Sequence, residues 1–190
     1  MRIFISGGCK NGKSTYAQHI TKWQNNHNNH LNPLYYIATM IATDHEDRER
    51  IVRHQQERDG WGFVTIEQPK NIGCILDKCN DSGSFLLDSL TALLANEMFS
   101  SSGDIDENAH ERIATELLQV LSKLENIVIV SDFIYSDAMQ YDPFTEVYRK
   151  SLAALDRLMA KNCDVVLEAA YTQIIVHKGE IATECRGKVL

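Results

Sequence analysis

Residues 1–14 read MRIFISGGCKNGKS, an apolar run closed by Gly7-Gly8-Cys9-Lys10-Asn11-Gly12-Lys13-Ser14. The octet has the glycine and glycine-lysine-serine spacing of a Walker A phosphate loop. Glycines let successive backbone N–H groups turn inward onto phosphate oxygens, and the helix that follows presents its positive N-terminus to the same anion. A strand before the loop and a helix after it separate such a loop from an ordinary glycine turn. Arg2 to Ser6 reads as a short buried strand, and Lys13 to Trp23 as a helix. Gly7, Gly8, Cys9, Lys10, Asn11, Gly12, Lys13, Ser14 and Thr15 are therefore the candidate nucleotide-binding residues. Lys13 is expected against the β- and γ-phosphates of ATP or GTP, and Ser14 on Mg²⁺.

Mg²⁺ takes hard oxygen ligands and keeps several waters, so a carboxylate at a neighbouring strand end is expected beside Ser14. Two aspartates compete for this place. Asp88 closes the buried run Ser84-Phe85-Leu86-Leu87-Asp88, and Asp132 follows the run Asn126 to Val130 with Ser131 between. In an open parallel sheet both emerge at the carboxyl edge, where ligands bind. Either can instead cap the helix that follows it; the phosphate loop raises Asp88 above that reading.

Further from the loop, Leu34 to Ala38 is a second strand, and Thr43 or Asp44 can cap a charged helix that runs to about Asp59 and stops at Gly60. Phe63 to Ile66 reads as a short strand, Ile72 to Cys79 as a short helix and Leu90 to Phe99 as an apolar helix. Helical spacing returns from Glu107 to Leu124, and Phe144 to Lys161 reads as one more helix. Val165 to Ala169 is a strand, and Gln173 to Val176 with Ile181 to Thr183 is expected to form a hairpin turned at Lys178-Gly179. The polar segment Gln24 to Asn32 is expected to be an exposed connection; its His27 and His30 lack the nearby carboxylate or cysteine that would complete a metal ligand set. Strands alternating with helices imply an α/β fold with a mainly parallel sheet, helices on both faces and a C-terminal hairpin, of the P-loop NTPase type.

The 190 residues suit one domain, 1–190, and the composition of 44% hydrophobic and 24% charged residues is that of a globular chain. A net charge of −7 argues against broad binding to nucleic acid or anionic membranes, which need a basic face. No stretch has the length of a membrane span and the N-terminus lacks the apolar segment of a signal peptide, so the expected compartment is the cytoplasm. Five cysteines without a CxxC pair suit reduced thiols.

On the helix after Asp44, Arg50, His54 and Arg58 stand four residues apart and share one face, a basic stripe in an acidic chain. Solvated ion pairs are the ordinary reading of such a run. The chemical one is sharper: neighbouring guanidinium groups keep an imidazole neutral and stabilise charge on an attacked phosphate, so His54 is a candidate nucleophile toward nucleotide phosphorus.

Taken together, GGCKNGKS at 7–14, YYIAT at 35–39, DRERIVRHQQERDGW at 47–61 and LLDSLTALLANEM at 86–98 resemble the bifunctional adenosylcobinamide kinase/adenosylcobinamide-phosphate guanylyltransferase family of cobalamin biosynthesis. The resemblance implies that Gly7, Gly12, Lys13 and Ser14 form the phosphate loop, that His54 accepts GMP from GTP, and that Asp88 is the acidic residue after the buried strand. Thr91 and Asn96 also match family positions. It implies a corrinoid substrate and a small homo-oligomer. The pattern departs after the strand at 126–130: a threonine-asparagine-glutamate-valine-glycine run is usual there, and this chain has Ser131-Asp132-Phe133-Ile134-Tyr135, without the glutamate. A P-loop kinase lacking guanylyl transfer and a nucleotide-binding regulatory protein are the alternatives.

Overall fold

A computed structural model describes residues 1–29, 31–100, 103–182 and 185, without the side chains of Asn29, Arg50 and Glu57. In chain order the elements are β1 (Arg2–Gly7), α1 (Lys13–Asn29), β2 (Leu34–Ala38), α2 (His45–Glu57), β3 (Phe63–Glu67), β4 (Ser84–Asp88), α3 (Leu90–Met98), α4 (Ala109–Lys123), β5 (Ile127–Asp132), α5 (Pro143–Asn162), β6 (Val165–Ala170) and β7 (Gln173–Lys178), with a 3₁₀ turn at Ile72–Asp77. The strands form one sheet in the order β3-β2-β4-β5-β1-β6-β7, parallel except for β7.

The period of two along each strand explains why the central strands read as unbroken apolar runs. Phe4, Ile37, Phe85, Leu87, Ile127 and Ile129 point to one face, where α3, α4 and α5 add Leu90, Leu94, Ile113, Leu117, Leu152 and Leu155. Ile3, Ile5, Tyr36, Leu86, Val128 and Val130 point to the other, where α1 adds Tyr16, Ala17 and Ile20. With both faces covered, every second residue of a strand has no solvated alternative, which is the condition under which parallel pairing is stable. The sheet lies between two layers of helix. A mainly parallel sheet with helices on both faces and an antiparallel C-terminal strand is thus the architecture that the alternation of strands and helices implies.

The chain departs from the sequence reading in two places. α1 does not stop at Trp23 but runs to Asn29, so Gln24 to Asn29 is helix, and Gln24 and Asn25 are buried at 2% and 7% exposure. One cause is tertiary, the Gln24 side-chain amide donating to the Met1 carbonyl at 2.8 Å; the other is local, the His27 ring sitting 2.9 Å from the Trp23 carbonyl one turn back and packing against the Trp23 indole. His30 lies outside the described residues. The second departure is the hairpin: among the described residues β7 pairs antiparallel with β6, and no strand follows Gly179. Tyr171 and Thr172 make the two-residue turn with φ of +50° and +62°, a left-handed pair that non-glycine residues seldom adopt. Gly179, at φ +76°, instead lets the chain pass so close to the Asp164 carbonyl that a β-carbon would not fit. Thr183 lies outside the described residues.

Candidate functional site

The parallel register carries β1, β4 and β5 to a common edge: Gly7 lies beside Asp132, and Asp88 beside Val130. β1 continues into the phosphate loop. Gly7 is required there, because a β-carbon would collide with the Ala169 carbonyl and the Asn11 amide. Lys10 at φ +55° and Gly12 at φ +81° take the left-handed bends that turn the loop inward. Gly8 has open space around its α-carbon, so no packing among the described residues demands a glycine at that position. Asn11 acts on the loop itself: its side-chain amide donates to the Ala169 carbonyl, and its oxygen accepts the Lys13 N–H at 3.3 Å. Ser14 and Thr15 sit half-buried in the first turn of α1. Cys9 is exposed, with Sγ 4.0 Å from Asp132 Oδ1, and Lys10 reaches Glu46 at 3.5 Å in an ion pair too solvated to weigh.

The two competing aspartates divide. Ser14 Oγ donates to Asp88 Oδ1 at 3.3 Å, and the Tyr36 hydroxyl donates to Asp88 Oδ2 at 2.9 Å. The Ser14 hydroxyl and the Asp88 carboxylate are an all-oxygen set at the edge of an open cavity, a donor set that suits Mg²⁺ with its remaining waters. Asp132 instead forms a buried ion pair with Lys13, whose ammonium also donates to the Gly8 carbonyl at 3.1 Å. The Asp132 backbone N–H donates to the Thr91 hydroxyl at 2.8 Å, and the Tyr148 hydroxyl donates to the Thr91 carbonyl at 3.0 Å. Thr91, singled out in the sequence without a role, is thus what holds the end of β5. Burial pushes the Tyr148 hydroxyl pKa upward, with the Asp132 carboxylate adding to it. At neutral pH Tyr148 is a hydrogen-bond donor.

A cavity of about 500 Å³ adjoins this edge and is lined by Asp88, Asp132, Thr91 and Tyr148 and by His54 and Arg58 from the α2 side. α2 carries no fully buried side chain among its described residues; Asp44 caps its start by accepting the Asp47 N–H at 2.8 Å, and Arg58 anchors its end. The Arg58 guanidinium is 7% exposed, stacks 3.9 Å from the Tyr36 ring centre and donates to the Thr65 hydroxyl at 3.2 Å. One face of α2 therefore delivers His54 and Arg58 to the cavity, as their four-residue spacing implies. The Arg50 side chain lies outside the described residues. Asn96 is not in the cavity lining; its amide donates to the carbonyls of Thr39 at 2.7 Å and Pro69 at 3.1 Å, tying α3 to the segments that follow β2 and β3.

Tyr36 and Tyr148 join the site through contacts that the linear sequence does not show. Tyr36 sits in an apolar strand like any core aromatic, and nothing along the chain shows that its hydroxyl meets Asp88. Among the described residues no group of three or more histidine, cysteine or acidic side chains is placed to hold a metal, and no helix is long and apolar enough to cross a membrane.

Residues 3–172 match the family model described as cobinamide kinase / cobinamide phosphate guanyltransferase. No curated protein sequence matches significantly. Among solved structures, a KaiC-like protein of the hyperthermophilic archaeon Pyrococcus horikoshii superposes with a TM-score of 0.52 at 10% identity, over 94% of this chain and 79% of that one. A second Pyrococcus horikoshii protein gives a TM-score of 0.48 at 12% identity over 100% and 91%, and a flagellar accessory protein of Methanocaldococcus jannaschii 0.42 at 12% over 98% and 80%. At these identities the likeness to the first of them concerns the fold alone.

Proposed function

The chain belongs to the cobinamide kinase / cobinamide phosphate guanyltransferase family of cobalamin biosynthesis, and from that membership we propose that its phosphate loop and His54 serve the two reactions across one cavity. The family is one of enzymes, a kinase and a guanylyltransferase in a single chain, acting on a nucleotide and a corrinoid. In the kinase step, the acceptor hydroxyl oxygen attacks the γ-phosphorus and the bond to the β,γ-bridging oxygen breaks, leaving a nucleoside diphosphate. Gly7 to Thr15 cradle the phosphates, and Lys13 neutralises charge on the β- and γ-groups. Ser14 and Asp88 would hold Mg²⁺, which supplies further charge neutralisation at the phosphates.

In the second step a nitrogen of His54 attacks the α-phosphorus of GTP and expels pyrophosphate; the corrinoid phosphate then takes GMP from His54. Arg58 supplies fixed positive charge beside that attack. The observation that carries this division is that His54 and the two aspartates engaged by Ser14 and Lys13 line the same cavity. We also propose a cytoplasmic enzyme assembled as a small homo-oligomer.

The test is incubation with GTP labelled at the α- or γ-position, with and without adenosylcobinamide. The expected result is an acid-labile, base-stable α-label on the protein that disappears in His54→Ala, while γ-label still passes to the corrinoid. Adduct formation that persists in His54→Ala removes the histidine from the pathway.

A further inference from the structure

We propose that Asp132 is the base of the kinase step, taking the proton of the acceptor hydroxyl once nucleotide has drawn Lys13 away from it; the inference rests on the kinase activity of the family and goes beyond the roles assigned above. At the edge shared by β1, β4 and β5 two carboxylates stand in different states. Asp88 has both oxygens occupied by hydroxyl donors, Ser14 and Tyr36. Asp132 is instead held by the ammonium of Lys13, with the Cys9 thiol as a distant second contact.

Lys13 cannot serve two anions in full. It is 5% exposed and is shared between Asp132 and the Gly8 carbonyl. A triphosphate in the loop brings several negative charges to that ammonium and outcompetes a single carboxylate for it. Asp132 is then a buried anion, 7% exposed, next to another anion. Such a group needs a hydrogen-bond donor or a proton. The acceptor hydroxyl is the donor that enters the cavity Asp132 lines.

The position of Asp132 is fixed by β1 and by Thr91. Its strand neighbour Gly7 begins the phosphate loop, its N–H is held by Thr91, and the N–H of Phe133 donates to the Gly7 carbonyl at 2.9 Å. A base must hold its place while the cation beside it moves, and the β1 ladder together with the Thr91 hydroxyl provides that. In the reaction the hydroxyl proton passes to an Asp132 carboxylate oxygen as the hydroxyl oxygen bonds to the γ-phosphorus. The electron pair of the broken bond stays on the departing nucleoside diphosphate, and Asp132 gives its proton to water after product leaves.

Asp132→Asn keeps size and hydrogen-bonding capacity but cannot accept the proton. Three quantities are compared with wild type: the single-turnover rate of γ-phosphoryl transfer to adenosylcobinamide, affinity for a fluorescent nucleotide, and α-label on His54. The expected transfer rate falls on the order of 10²–10⁴-fold. Nucleotide affinity is unchanged or tighter, because the competing carboxylate is gone, and the His54 label persists and reports a folded site. Asp132→Glu recovers part of the rate.

An Asp132→Asn rate within about threefold of wild type overturns the proposal, as it falls well short of a lost base. Equal losses of rate and nucleotide affinity also overturn it, by making Asp132 only a holder of Lys13. A wild-type protein that phosphorylates no corrinoid alcohol while still labelling His54 removes the kinase reading itself, and the proposal with it; that failure is read on the wild type, before any variant.

Discussion

Asp156, on α5, shows how a single buried carboxyl sets a dependence of the whole fold on pH. Burial pushes its pKa up to about 6, with the Asp132 charge adding to the shift, while Ser131 and the Tyr135 hydroxyl, which donates to Asp156 Oδ2 at 2.9 Å, oppose it. The folded chain therefore holds this proton more tightly than the unfolded chain, whose carboxyl has the ordinary value of 3.8. Its contribution to stability is fully present below the unfolded value and is lost as pH rises through the folded one. Between the ordinary carboxyl range and about pH 6 the protein should lose on the order of 3 kcal/mol through this group. Asp156→Asn, which keeps an acceptor for Tyr135, should remove that slope and be the more stable protein at pH 7.5. Urea denaturation of both proteins across pH 4–8 measures the difference; parallel curves would reject the account. Asp156 lies inside a helix with regular apolar spacing, and neither its burial nor its nearness to Asp132 is visible along the chain.

At the scale of elements, legibility followed the source of each element's stability. β4 appears in the sequence with the bounds it has in the fold, because a strand buried on both faces must be apolar throughout and Asp88 marks where burial ends. The end of α1 was illegible because Gln24 and Asn25 are polar residues that are buried, Gln24 through its hydrogen bond to the distant Met1 carbonyl. The β6–β7 turn was illegible for a related reason: Tyr171 and Thr172 take positive φ without the glycine or asparagine that announces such a turn, while Gly179 carries the usual turn chemistry nearby.

The Asn96 side chain ties the loop after β2 to the loop after β3. Asn96→Ala leaves two carbonyls short of a donor, and should lower stability by about 1–3 kcal/mol. It should also raise hydrogen exchange in residues 39–44, which lead into the helix that carries His54. Denaturant titration and exchange mass spectrometry report the two effects, and unchanged exchange there would confine Asn96 to stability.

For the whole molecule, ligand binding should add a substantial stabilisation. Lys13 and Asp132 form an ion pair buried at the meeting of β1, β5 and the phosphate loop. Nucleotide that binds only the folded chain adds roughly 2.7 kcal/mol at a hundredfold excess over its Kd. For a chain of this size that is a rise in Tm of roughly 5–10 °C. Calorimetry with GTP and Mg²⁺ should show it for wild type and lose most of it for Lys13→Ala, and chelation of the metal should reduce it in wild type. A full shift in Lys13→Ala would place the nucleotide elsewhere.

The sequence by itself determined the alternation of strands and helices, the phosphate loop and the shared face of His54 and Arg58. Each rests on spacing within one element: two along a strand, four along a helix, and a fixed octet at a turn. Only the tertiary structure decided which aspartate meets Ser14 and which meets Lys13, that Tyr36 caps Asp88, and that α2 brings His54 to the cavity those aspartates line. Those pairings join residues far apart in the chain. They depend on strand order and parallel register, which local periodicity does not encode.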